Sequence, residues 1–168
     1  MKYIIINADD FGLSENINTG IAQCMREGMV KSASLLVNAK STLHAVELAH
    51  SHPQFDLGIH LCLVQGKPLS NPENIPSLIG HKGHFLKNHF DFLIKLWQNK
   101  ISLREVESEC RLQIQKAFGY NLCFTHIDTH QHLHIHPIIL KIIARLAHTF
   151  GIPYLRFPIE PTYNILHL

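Results

Sequence analysis

Short apolar runs alternate along the chain with stretches whose apolar residues recur every three or four positions, a pattern that predicts parallel β/α units. The first unit is a strand over 3–7, a loop, and a helix over 14–27 with Ser14 as its N-cap and Gly28 as its stop. A strand over 32–37 and a helix over 42–50 form the second. A third strand, 57–63, leads into a long stretch bearing Gly66, Pro68, Pro72, Pro76, Gly80 and Gly83. It is too long for a simple connection and is expected to cover a site. Ser102-Leu103-Arg104-Glu105 reads as a capping box, in which Ser102 and Glu105 satisfy each other's backbone donors, opening a helix to about Phe118. A fourth strand over 123–128, a helix starting at Pro137 and ending near Phe150, and a fifth strand over 154–157 complete the series.

Neither an internal repeat nor a linker interrupts these units, so residues 1–168 read as one α/β domain. Five parallel strands suit an open sheet or part of a barrel, whereas a closed eight-stranded barrel needs about 250 residues. The tail over 163–168 is apolar and carries no capping residue. The expectation is the N-terminal part of a longer barrel, incomplete at its C-terminus.

Composition narrows the function. With 46% hydrophobic and 17% charged residues, the chain reads as a soluble domain able to bury a core. A net charge of +2 spread along the sequence leaves no basic footprint for nucleic acid. The apolar start Tyr3-Ile4-Ile5-Ile6 is too short for a signal segment, and no membrane span is present. Cys24, Cys62, Cys110 and Cys123 follow no CxxC spacing and read as reduced core thiols, so a cytoplasmic location is expected.

Histidine changes the picture, because 14 in 168 residues is several times the roughly 2% usual in globular proteins. In β/α folds, functional groups gather at the carboxyl ends of the strands. Asp9 and Asp10 follow the first strand, His60 lies late in the third, and Arg156 ends the fifth. After the fourth comes Thr125-His126-Ile127-Asp128-Thr129-His130-Gln131-His132-Leu133-His134-Ile135-His136, with imidazole or carboxylate at every second position. An extended run would present one polar face, and a helix from His130 would pair His130 with His134 and His132 with His136.

Each piece has a plain alternative: chain-turning aspartates, a core histidine with a backbone partner, or a surface histidine tract that binds metal adventitiously. Adjacent carboxylates point to opposite faces of an ideal strand, but a bend can turn both into one pocket. Taken together, a carboxylate and two imidazoles from three strand ends make a facial set that leaves positions on a divalent metal for water and substrate. Zinc, manganese and cobalt suit such ligands, and an oxygen-rich shell with waters suits magnesium.

Three segments carry a family resemblance: Asn7-Ala8-Asp9-Asp10-Phe11-Gly12, then Gly58-Ile59-His60-Leu61 with Gly66-Lys67-Pro68, then Thr125 to His132. In content, order and spacing they resemble the signature segments of the YdjC-like carbohydrate deacetylases, over essentially the whole chain. The resemblance implies a distorted, TIM-like β/α barrel and metal-dependent removal of acetyl from an N-acetylated amino sugar or oligosaccharide. It implies Asp10, His60 and His130 as ligands of one divalent ion, magnesium or zinc, with Asp9 as general base. Asp128, His132 and Arg156 are left as residues for substrate or acid roles. The stretches 35–39, 60–64 and 156–161 look most like the subgroup associated with hopanoid biosynthesis.

Family members are usually longer by about a hundred residues, which sets a second expectation beside the enzyme: a truncated, catalytically weak metal- or sugar-binding remnant. Because Asp/His clusters serve phosphatases too, a metal-dependent phosphoesterase is a third expectation, ranked below it. A homodimer that completes the sheet is a further expectation.

Overall fold

A computed structural model describes residues 4–157, and its five short strands line up in chain order. They are β1 (Asn7–Phe11), β2 (Ser32–Leu35), β3 (Asp56–Leu61), β4 (His126–Thr129) and β5 (Tyr154–Leu155), each parallel to the next. Between them lie α1 (Glu15–Arg26), α2 (Thr42–Ser51), α3 (His89–Trp97), α4 (Leu103–Phe118) and α5 (Pro137–Phe150). A sheet whose order follows the sequence is wound in one sense, as in an arc of a β/α barrel, and not doubly wound about a first central strand.

Along each strand the side chains alternate in chemistry as well as in direction. Register places Ser32 beside Asn7 and Asp56, Gly58 between Ser34 and His126, and His60 beside Asp128. Because side chains alternate with period two, these residues share one face of the sheet. Leu35, Ile59 and Ile127 pair in register on the other face and are fully buried. Against that apolar core α1 contributes Ile21 and Met25, α4 contributes Val106, Cys110 and Ile114, and α5 contributes Ile139, Ile143 and Leu146. The polar face is therefore left free to build chemistry.

Strand one sits four residues later than its apolar run suggests. Ile4, Ile5 and Ile6 are exposed, and the ladder begins only at Asn7, where Ser32 first supplies a partner. The expected start at Tyr3 and the apolar tail over 163–168 lie outside the described residues. Strand two ends at Leu35, strand three at Leu61 and strand five at Leu155, and strand four starts at His126, all shorter than expected.

The stretch after β3 is built rather than loose. Short 3-10 turns at Pro72–Asn74 and Pro76–Leu78, with bridges pairing Val64 with Leu86 and Ile79 with Phe85, bury Ile75, Leu78, Phe85 and Leu86. It also contains α3, whose start is capped by Asn88 accepting from the Asp91 N–H, an element hidden from the sequence reading within the long loop. Buried Glu109 on α4 accepts from the N–H groups of Leu69 and Ser70 at 2.9 Å each, and from Gln113 at 2.8 Å. Gln113 in turn bonds both the N–H and the carbonyl of Cys62.

The same anchoring opens the expected capping box. Ser102 Oγ accepts from the Glu105 N–H at 3.4 Å, but the Glu105 carboxylate turns away to Ser77 N–H at 2.8 Å, and Ser102 N–H donates to Ser77 Oγ. The loop has taken over half of the cap. Of the four free cysteines, Cys62 and Cys110 are buried as expected, whereas Cys123 is exposed and Cys24 half-buried.

Candidate metal centre

Strand β1 would point Asp9 and Asp10 to opposite faces if it were regular. It is not, because Asp10 takes φ +65° and the register with β2 shifts between Ala8 and Phe11. One residue in the left-handed region acts as a bulge, so both carboxylates turn toward the polar face while Phe11 returns to the core. Gly12, at φ +113°, completes the corner, and its N–H is held by buried Asn18 Oδ1 at 2.7 Å.

His60 is almost fully buried between two carboxylates. Its Nδ1 lies 2.6 Å from Asp128 Oδ1 and its Nε2 3.4 Å from Asp10 Oδ1. Burial opposes protonation of this ring, but the hydrogen bonds with Asp10 and Asp128 and the negative charges of Asp128 and Asp9 outweigh it, pushing its pKa up to about 9. Contacts from His130 and then His60 hold the Asp10 carboxyl well below the usual range. Burial also works against the Asp128 carboxylate, yet His60 and Ser34 together keep it below its ordinary value. The His60 pairings run through all three shifts, although His130 contributes most to that of Asp10.

His130 follows β4 and brings Nδ1 to 2.9 Å from Asp10 Oδ1 and Nε2 to 3.0 Å from Gln65 Oε1. Asp10, His60 and His130 each offer one ligand atom, all within 4.8 Å of one another. A second group, Asp9, His60 and Asp128, meets the same spacing on the other side of His60. A carboxylate oxygen and two imidazole nitrogens clustered this closely, with the far nitrogen of His60 already on a carboxylate, fit a divalent ion.

Beside this triad Arg156 binds Asp9 through Nη1 at 2.7 and 3.0 Å and reaches Asp128 Oδ2 at 3.3 Å. Asn7 Nδ2 donates to Asp9 Oδ1 at 2.7 Å and to Ser34 Oγ at 3.0 Å. The Asp128 position, left open in the sequence between substrate and acid roles, is fully buried behind His60. The signal for that was its place in β4 directly beside His60 in β3, which only the register reveals.

The histidine run adopts neither expected conformation. Gln131 and His132 both take left-handed backbone, φ +54° and +52°, so the segment is neither extended nor an α-helix. The tract separates into different tasks. His134 is buried, pairs with Thr129 Oγ1 at 2.7 Å and has its pKa lowered by burial. His136 caps α5 by accepting from the Ile138 N–H. His132 packs edge-on against His134, with centroids 6.1 Å apart, and is not among the three metal-facing residues. His126 lies across Gly58, where any Cβ would overlap its ring, and bonds Ser34 Oγ.

Two cavities flank the network. One of about 520 Å³ is bounded by His130, Gln65, Cys62, Asn38 and Lys67. The other, about 450 Å³, opens on the polar face beside His126, Asn7 and Arg156. Burial pushes the Cys62 thiol up to about 11, so in the metal-free chain it stays protonated near neutral pH. Among the described residues no helix is long and apolar enough to cross a membrane.

Comparison with known proteins agrees with this architecture. The crystal structure of a candidate cellobiose-phosphate cleavage protein from Enterococcus faecalis superposes with a TM-score of 0.82 at 30% identity, covering 98% of this chain and 62% of that one. A carbohydrate deacetylase of Brevibacillus brevis is 43% identical over 155 residues, 92% of this chain and 59% of the relative. One from Thermoanaerobacter pseudethanolicus is 32% identical over 160 residues, 95% and 62% respectively. The chain thus spans about three fifths of the length of these relatives. The family model described as YdjC-like protein matches residues 3–167, and the chain belongs to the YdjC-like family.

Proposed function

We propose that this chain is a metal-dependent carbohydrate N-deacetylase that holds one divalent ion, magnesium or zinc, on Asp10, His60 and His130. The observation that carries this reading is the convergence of those three ligand atoms within 4.8 Å, with the Asp9 carboxylate on the neighbouring side of His60. The curated relatives bear the name carbohydrate deacetylase, which supplies the substrate class.

A divalent ion in such a set acts as a Lewis acid toward the acetyl carbonyl and lowers the pKa of water beside it. Asp9 accepts the proton of the attacking water, with Arg156 and Asn7 holding its carboxylate in position. As the C–N bond breaks, Asp9 returns that proton to the leaving amine, so water and amide become acetate and amine. Asp128 acts through His60, fixing its tautomer so that Nε2 faces the metal position. Ring packing turns His132 toward His134, which favours Asp9 over His132 as the acid. A cytoplasmic setting belongs to the same proposal, supported by four cysteines that form no disulfide.

The test is acetate release from N-acetylated chitooligosaccharides by protein loaded with zinc or magnesium. Activity should vanish with a chelator and in Asp9→Asn. Metal bound at one per chain with no acetate released from any such glycan would sink the deacetylase assignment while keeping the site.

A further inference from the structure

Seven non-glycine residues among those described take positive φ, and four of them, Asp10, Gln65, Gln131 and His132, lie in or beside the candidate site. Such backbone costs on the order of 1 kcal/mol or more and persists where surrounding contacts hold it. For Asp10 the gain is plain, since the bulge turns its carboxylate to the site. Gln65, by contrast, brings no charged group to the site.

Its backbone is held on both sides. Gln65 N–H donates to the Leu86 carbonyl at 2.8 Å, and its own carbonyl accepts from Cys62 Sγ at 3.6 Å. Gly66 follows at φ +65°, so two successive left-handed residues turn the chain back over the strand end. That turn delivers the Gln65 amide oxygen to 3.0 Å from His130 Nε2 while His130 Nδ1 faces Asp10. A ring flip would replace both nitrogens by carbons, so the two contacts together select one orientation.

We propose that Gln65 is the positioning residue of His130: its amide oxygen accepts from Nε2–H and so leaves the Nδ1 lone pair aimed at the metal position. The arrangement parallels Asp128 behind His60, with a neutral acceptor in place of a carboxylate. Gln65 also borders the 520 Å³ cavity, so the same turn that orients the ligand forms the wall beside it. The inference rests on the metal-site reading above but not on the deacetylase chemistry.

The experiment measures zinc affinity by calorimetry on the full chain, with the imidazole nitrogen shifts of His130 read by NMR. Gln65→Met, which keeps length but loses the acceptor, should weaken zinc binding roughly 10- to 100-fold at unchanged melting temperature. Gln65→Glu, which keeps an acceptor oxygen, should bind at least as tightly as the wild type. In the loaded wild type, Nδ1 of His130 should carry the metal and Nε2 the proton. Equal affinity in Gln65→Met, equal loss in Gln65→Glu, or metal on Nε2 would each overturn the role of Gln65. Failure of the wild-type chain to bind zinc stoichiometrically would overturn the metal site itself, a result separable from the other three.

Discussion

His60 and His130 approach the same carboxylate oxygen from regions of opposite character. His60 stands in a regular strand, alternating with Ile59 and Leu61, and is buried with both ring nitrogens beside carboxylates. His130 opens a kinked segment with two left-handed residues behind it, is only partly buried, and leans on a neutral glutamine. The first is held by the sheet, which cannot move one residue without moving a core. The second is held by a turn whose geometry depends on several local contacts. In the proposed centre, metal binding and fold stability would therefore be coupled at His60 and nearly separate at His130.

The sharpest way to break this contrast is His60→Ala. Removing the imidazole strips buried Asp128 of the partner on its Oδ1 and Asp10 of one of its two imidazoles, and stability should fall by about 3–5 kcal/mol in urea unfolding, with loss of metal. A loss no larger than that of a surface substitution would mean that His60 is not the sheet-held member of the pair.

Next in size is the pH dependence of the metal-free protein. The folded-state pKa of His60 is raised from 6.5 to about 9, so its contribution is fully present below pH 6.5 and is lost as pH rises through 9. At 1.36 kcal/mol per unit the ceiling is on the order of 3 kcal/mol. Denaturant midpoints taken across that window should decline in the metal-free chain. They should decline little in Asp128→Asn, which removes the anion on Nδ1. A flat profile for the wild type would contradict the cationic sandwich.

Gly58→Ala probes the same strand from its polar face, since the new methyl would overlap the His126 ring. The expected cost is about 1–3 kcal/mol, read as a lower melting temperature. His130→Ala should have the smallest effect on stability, under about 1 kcal/mol, although it should abolish tight metal binding just as His60→Ala does. Calorimetry with zinc on both variants, set beside their unfolding curves, separates the two roles. Equal destabilisation by both substitutions would erase the distinction.

Much of this was legible in one dimension. The parallel β/α order, the Ser14 cap, the start of α5 at Pro137 and the placement of His60 in strand three follow from short-range rules of propensity and capping. The alternation in Asp56-Leu57-Gly58-Ile59-His60-Leu61 assigns a polar and an apolar face to β3 without reference to any other strand. Less legible were the start of β1, set by where Ser32 offers a partner, and α3, concealed between turns.

By itself, the sequence placed Asp9, Asp10, His60 and the histidine run toward the carboxyl ends of their strands, because period and spacing are local properties of the chain. Only the tertiary structure decided that Asp128 backs His60, that Arg156 turns to Asp9, and how the other histidines of the run divide among separate tasks. Those choices depend on strand register and on a few left-handed residues, whose cost is met by contacts between segments distant in sequence.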